Sequence, residues 1–256
     1  MELPRASRVA ARLEWLETAG STNTELVRLA NAEPGSWPSM SVLVTDDQTA
    51  GRGRLGRRWT APPGTSLAIS VLLRPAIPQE RLGWLSLLAG TAMARALVSL
   101  GVPATVKWPN DVLIADRKVC GVLAEALADG DGAVVGAGLN HRLAEADLPV
   151  PTATSLAVEG GPTDPDELVA AYLSALVDLL EPFEAAGGEP EAGLRVSVEA
   201  ACSTVGRRVR VTLPDGGTVV GRAVGIDGEG RIEVQQDGVL GRAAIASGDV
   251  EHLRYE

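Results

Sequence analysis

The residue types best suited to chemistry stand in three short runs. The first is Gly51-Arg52-Gly53-Arg54-Leu55-Gly56-Arg57-Arg58-Trp59, shortly after Gln48. Glycines let backbone N–H groups approach an anion closely. Guanidinium groups set among them offer forked donors to phosphate or carboxylate oxygens. Trp59 adds an aromatic face on which a base can stack. By spacing alone, Gly51-x-Gly53-x-x-Gly56 matches the dinucleotide fingerprint. That fingerprint has to open a helix, and Pro62-Pro63-Gly64 downstream does not permit one. No Gly-Lys-Ser/Thr follows, so the run is not a Walker loop either. The bland alternative is a solvated basic loop. It accounts poorly for four arginines in one long loop of a chain with net charge −10.

The second run is Lys107-Trp-Pro-Asn110-Asp111, continuing to Lys118-Val-Cys-Gly121-Val-Leu123. The chain's 23 basic residues include only two lysines, Lys107 and Lys118, and both fall here. An ammonium is a compact point charge and a guanidinium a planar fork, so the two are not interchangeable beside a phosphate. Asn110-Asp111 is also ordinary turn composition, but a turn does not explain the tryptophan and the lysines around it. The third run is Gly136-Ala-Gly138-Leu-Asn140. Its small residues allow close approach to the backbone, and an asparagine can meet an adenine edge with a donor and an acceptor.

These runs need a scaffold. Residues 5–20 carry an apolar pattern, and Ser21-Thr22-Asn23-Thr24-Glu25 opens a helix through Ala32, with Thr22 and Glu25 at capping-box spacing. Strands are expected at 41–45 and 66–73, flanking a polar loop over 46–64. A long helix is expected from Pro78-Gln79 to Leu100, closed by Gly101. Short strands are expected at 104–108, 112–114, 119–126 and 133–139, then a loop over 140–162. Thr163-Asp164-Pro165-Asp166 caps a helix to about Ala186, and a further helix runs to about Ala201. After Cys202 the texture changes to short alternating runs at 209–211, 219–224, 232–234 and 239–245. Those runs predict a small β-barrel of SH3-like size. The chain therefore divides into 1–202 and 203–256.

Composition narrows the function classes. With a net charge of −10 and a pI near 4.8, nucleic acid is not an expected partner. The two cysteines, Cys120 and Cys202, lack zinc spacing and fit a reducing cytoplasm. The N-terminus lacks a signal-peptide pattern. The apolar stretch 82–100, interrupted by Ser86, Arg95 and Ser99, reads as a buried helix and not a membrane span.

Taken together, the three runs, Ser21-Thr22-Asn23 and the small C-terminal β-domain resemble the biotin–protein ligase family in order and approximate spacing over nearly the whole chain. The resemblance implies an α+β fold: a mixed β-sheet with helices, akin to class II synthetase cores, plus an SH3-like module. It implies ATP-dependent ligation of biotin, through biotinyl-5′-AMP, to a lysine of the biotin carboxyl carrier domain of an acyl-CoA carboxylase, with ATP and Mg²⁺ as cofactors. Lipoate or octanoate transfer on the related fold is the alternative.

The resemblance also implies roles. Ser21, Thr22, Asn23 and Gln48 would bind biotin, the ureido ring meeting Ser21, Thr22 and Gln48. Gly121 and Leu123 would offer it backbone groups. Arg52, Gly53 and Arg54 would order the loop over the biotin carboxylate and the nucleotide phosphate. Arg57 would neutralise the ATP phosphates, and Trp59 and Asn140 would hold the adenine. Lys118 would bridge the biotin carboxylate and the α-phosphate. Asp111 would orient or deprotonate the acceptor lysine. Lys118, Arg54 and Asp111 form the expected catalytic set. Cys120 and His141 depart from the family pattern and receive no role. The stretch before Ser21 is too short for a winged helix-turn-helix, so repressor activity is not expected. A monomer or homodimer is expected.

Overall fold

A computed structural model describes residues 1–190 and 192–253. The last three residues of the expected 203–256 module lie outside the described residues.

The N-terminal part is built on a seven-stranded sheet with strand order β1-β2-β5-β9-β8-β7-β6. Its strands are β1 (Arg12–Trp15), β2 (Ser41–Thr45), β5 (Ser66–Leu73), β6 (Ala104–Lys107), β7 (Asp111–Ile114), β8 (Arg117–Ala126) and β9 (Ala133–Asn140). β1 pairs parallel with β2, and every other neighbour is antiparallel. The sheet is thus mixed, as expected. Strands β2 and β5 have the bounds read from their unbroken apolar character, since strands buried on both faces show no alternation.

The two faces are covered differently. Helices α2 (Trp84–Ser99) and α3 (Pro165–Ala185) pack on one face, where Leu67, Ile69, Val71, Val122, Val135 and Ala137 join the main core. Helix α1 (Thr22–Ala32) covers part of the other, packing Leu26 and Ala30 against Leu43, Leu72 and Val134. Side chains alternate across a strand. Gly121 and Leu123, Gly136 and Gly138, and Ala68 and Ser70 therefore share the face that α1 leaves partly open.

Several local expectations change. The N-cap of α1 is Ser21, which accepts from Thr24 N at 3.4 Å, so the Thr22–Glu25 capping box does not form. Thr22 is already inside the helix, and its hydroxyl is engaged elsewhere. The helix expected from residue 78 is a single 3₁₀ turn, Gln79–Arg81, followed by α2 after Gly83. This segment is long and apolar enough to cross a membrane by composition, yet most of it is buried in the fold. The loop 46–64 is not wholly irregular: β3 (Gly51–Arg52) pairs with β4 (Arg58–Trp59) as a small hairpin. No helix follows its glycines.

Helix α4 (Ala192–Ala201) leads into a five-stranded antiparallel sheet with order β13-β12-β11-β10-β14. Its strands are β10 (Arg208–Thr212), β11 (Thr218–Ile226), β12 (Ile232–Gln236), β13 (Arg242–Ile245) and β14 (Asp249–His252). Val209, Val211, Ile232 and Val234 extend the main core. Two indoles from the N-terminal part bond to its β11–β12 turn: Trp84 Nε1 to Gly228 O (2.9 Å) and Trp108 Nε1 to Gly230 O (3.1 Å). The second sheet is thereby held beside the first.

Candidate active site

The open part of the sheet face is the floor of a cleft of about 380 Å³. Its first row of floor residues is Gly121, Gly138 and Ala68, aligned by strand register. The indole of Trp59, carried on β4, lies against this row and donates from Nε1 to Ser66 Oγ at 3.3 Å. A Cβ at position 138 would sit 2.6 Å from Trp59 Cε2, and one at 121 would sit 3.3 Å from Cζ3. Side chains there would push the ring away, so the small residues make the seat for it.

The next row is Leu123, Gly136 and Ser70. A Cβ at position 136 would meet Asn23 Oδ1 at 2.2 Å. Asn23 Nδ2 donates to Leu123 O (3.1 Å) and Glu125 Oε2 (2.9 Å), which turns Oδ1 towards Ser70. Ser70 Oγ lies 2.6 Å from Asn23 Oδ1 and 2.8 Å from Thr22 Oγ1. An amide oxygen only accepts, so the Ser70 proton goes to Asn23 and the Thr22 hydroxyl serves Ser70. Gln48 is brought alongside by backbone bonds from Thr49 N to Ala19 O (2.9 Å) and from Ala50 N to Gly20 O (2.7 Å). Its Oε1 accepts from Thr22 N at 3.0 Å, and its NH₂ makes no hydrogen bond among the described residues. This end of the cleft is rich in hydroxyl and amide groups, with the Arg52–Glu125 pair at its edge.

The other end is charged. The β6–β7 hairpin sets Lys107 across from Asp111, and Asp111 across from Gly121. Lys118 Nζ lies 2.6 Å from Asp111 Oδ1 and 5.6 Å from the Trp59 ring centroid. The β3–β4 hairpin, closed by Gly53 N to Arg57 O at 2.8 Å, brings its arginines over the cleft. Arg52 pairs with Glu125 at 2.9 Å. Arg57 pairs with Asp249 of β14. Arg54 donates to Asn110 Oδ1 (3.0 Å) and Ser247 Oγ (2.9 Å). Burial lowers the pKa of the Arg54 guanidinium, opposed by Asp249 and Asp111. Burying a charge costs solvation, which is how a cation becomes a strong partner for an incoming anion.

Ser21, Thr22, Asn23 and Gln48 thus line one end of the cleft. Arg52, Gly53, Arg54, Arg57 and Trp59 form its lid, and Asp111, Lys118, Gly121 and Leu123 its floor and far wall. Asn140 is the exception. It is buried beyond the cleft lining, and its Nδ2 donates to Thr154 O at 3.0 Å. Sequence reasoning assigned no role to Ser70, Glu125, Asn110, Ser247 or Asp249. Glu125 and Asn110 lay within or next to the runs already singled out. Ser247 and Asp249 arrive from the distant C-terminal sheet, and nothing in their local sequence announces it. Cys120 points into the core, where burial pushes its thiol up to about 12. It stays protonated there, as a small apolar residue.

With the cleft described, its likeness to known proteins can be placed. Residues 15–140 match the Biotin/lipoate A/B protein ligase family, and residues 204–253 match the Biotin protein ligase C terminal domain. The chain belongs to this family. It is 39% identical to the biotin–[acetyl-CoA-carboxylase] ligase of Mycobacterium tuberculosis, covering 95% of this chain and 90% of that one. It is 31% identical to the bifunctional ligase/repressor BirA of Bacillus spizizenii, covering 93% and 73% respectively. The biotin protein ligase of Aquifex aeolicus in complex with biotin and ATP superposes with a TM-score of 0.76 at 27% identity, covering 95% of this chain and all of that one.

Proposed function

We propose that this chain joins biotin and ATP into biotinyl-5′-AMP and passes the biotinyl group to a lysine of a biotin carboxyl carrier domain in an acyl-CoA carboxylase. The observation that carries the reading is the two-ended cleft. A hydroxyl and amide end suits a ureido ring, and a cationic end in the same cleft suits a carboxylate meeting a phosphate. Two anions must approach each other in the first step. Fixed cations offset that repulsion where the charge develops.

In this reading Ser21, Thr22 and Gln48 hold the ureido group, and the backbone at Gly121 and Leu123 lines the rest of biotin. Lys118 stands between the biotin carboxylate and the α-phosphate. Arg54 and Arg57 face the phosphates, and Trp59 presents its ring to the base. The Asn140 side chain would have to exchange its bond to Thr154 O to read the adenine. Asp111, released from Lys118 as phosphate takes its place, accepts the proton of the incoming lysine amine. The hairpin closes over the mixed anhydride and keeps water from it.

The cleft also bears on Mg²⁺. Its two facing carboxylates, Asp111 and Asp249, are each paired with a cation, and the described residues contain no cluster of three or more ligating side chains. Mg²⁺ bound chiefly by phosphates and water needs at most one or two carboxylates, so the residues present fit an ion that arrives with the nucleotide and there offsets phosphate charge. We further place the boundary between the catalytic unit and the SH3-like unit near residue 202, and the protein in a reducing cytoplasm, in keeping with two buried free cysteines.

The test is ATP–pyrophosphate exchange with biotin and, separately, with lipoate. Exchange with biotin is the expected result. Exchange with lipoate alone overturns the reading.

A further inference from the structure

Four cations of the cleft are held in two ways. Arg52 has Glu125, Arg57 has Asp249 and Lys118 has Asp111, each a carboxylate. Arg54 is held as firmly, but by groups without charge: Asn110 Oδ1 on one side and Ser247 Oγ on the other. The Asn110 amide cannot turn round, because its Nδ2 donates to Val122 O (2.7 Å) while Val122 N donates to Asn110 O (2.8 Å). Ser247 is equally placed by its neighbours. It lies in the link between β13 and β14, where a Cβ on the adjoining Gly248 would meet Val211 Cγ1 at 2.7 Å and Thr212 O at 2.9 Å. Only glycine lets that link press so closely on β10.

The difference has a chemical consequence. A carboxylate partner orients a guanidinium but cancels its charge, so a phosphate must displace it or share. A neutral acceptor orients the group without a carboxylate to displace; Asp249 and Asp111 act on Arg54 only from beyond hydrogen-bond distance. Two of the five N–H donors of Arg54 are used in this way, and three remain for an anion. We propose that Ser247, carried on the C-terminal sheet, is a positioning residue for the adenylation step: with Asn110 it aims Arg54 across the domain junction and orients it without a carboxylate in its hydrogen bonds, open to the nucleotide phosphates. This rests on the function proposed above. It makes the C-terminal unit a working part of the nucleotide site.

The test compares Ser247→Ala, Ser247→Thr and Ser247→Asp with the wild type, by initial rates of biotin-dependent ATP–pyrophosphate exchange against ATP and against biotin. Thermal unfolding is followed in parallel. Ser247→Ala loses roughly tenfold in kcat/KM for ATP, the scale of one hydrogen bond to a charged group, with the KM for biotin unchanged. Ser247→Thr restores most of that loss. Ser247→Asp keeps an acceptor but adds a charge, and it falls below Ser247→Ala despite retaining its contact to Arg54. Three results overturn the proposal: Ser247→Asp performing as well as Ser247→Thr, Ser247→Ala keeping wild-type ATP kinetics, or losses that follow the unfolding temperature across all variants. A wild-type chain with no biotin-dependent exchange would refute the function itself, a result distinct from these.

Discussion

Replacing Gly138 by alanine tests the seat of Trp59. The added methyl would lie 2.6 Å from Cε2, 2.9 Å from Cζ2 and 3.0 Å from Nε1 of the indole. Such contacts are too short to keep, so the ring or the strand has to move. The strand is fixed on both sides, by eight register pairs with β5 and seven with β8. The ring is carried by a hairpin of two-residue strands. The ring therefore yields, and its Nε1 bond to Ser66 Oγ goes with it. Overpacking of this kind costs about 1–3 kcal/mol. Because the lid moves and the core does not, the cost falls on nucleotide binding and not on folding. At about 1.4 kcal/mol per tenfold, it raises the KM for ATP by roughly 5- to 150-fold. The assay is exchange at saturating biotin with ATP varied, with thermal unfolding in parallel. Gly35→Ala is the control, since nothing lies within 4 Å of the added atom there. A Gly138→Ala protein with wild-type KM for ATP, or with its unfolding temperature lowered and its ATP kinetics intact, would refute the reasoning.

Two other predictions concern the charged end and the pH response. Lys118→Arg should lose roughly 100-fold or more of biotinyl-AMP formation, the scale seen when one preorganised charge partner leaves a transition state. Its Nζ fits between Asp111 and Gly121, 2.9 Å from where a Cβ at 121 would stand, and a guanidinium has no such room. Near-normal single-turnover adenylate formation would count against it. Burial, aided by Arg142, depresses the pKa of His141 to about 4, and burial with Arg207 does the same for His252. The unfolded chain binds these protons from about pH 6.5 downwards and the folded chain resists them until about pH 4. Stability is therefore whole above pH 6.5 and falls between 6.5 and 4, by at most about 1.4 kcal/mol per pH unit for buried His141. Urea unfolding at pH 7, 5.5 and 4.5 should show this slope, and His141→Leu should flatten it. An unchanged slope in that variant would remove His141 as its source.

The parts legible in sequence are those set by local pattern. Strands β2 and β5 announced themselves as short, unbroken apolar runs between turn residues, and α3 by Asp164-Pro165 at its start. The site runs were legible because glycine, arginine and lysine are conspicuous in an acidic chain. Long-range pairing was not legible. β1 stands at the sheet edge with four half-buried residues and too weak an alternation to be read. β3 and β4 owe their pairing to the turn between them, which closes through Gly53 and Arg57 backbone groups common to any sequence. The roles of Ser70, Ser247 and Asp249 depend on partners 47 to 193 residues away, at separations where residue types carry no signal. Asn140 shows the converse: its type suited a base edge, but the fold employs its amide against Thr154.

The acidic balance of the whole chain and the two anions it is proposed to bind are reconciled in these ion pairs. Arg52, Arg57 and Lys118 are ordered by Glu125, Asp249 and Asp111 before any ligand arrives. An exposed pair is worth about 0–1 kcal/mol. Arg57 and Asp249 are both well exposed, so a triphosphate with several charges can take Arg57 at little cost. Arg52–Glu125 is more enclosed on the carboxylate side and is tied into the Asn23 network, so it should persist and hinge the lid. In the proposed function the lid would work through a graded set of partners. One pair would anchor it, one would yield to the nucleotide, and Arg54 between them would have no carboxylate to exchange.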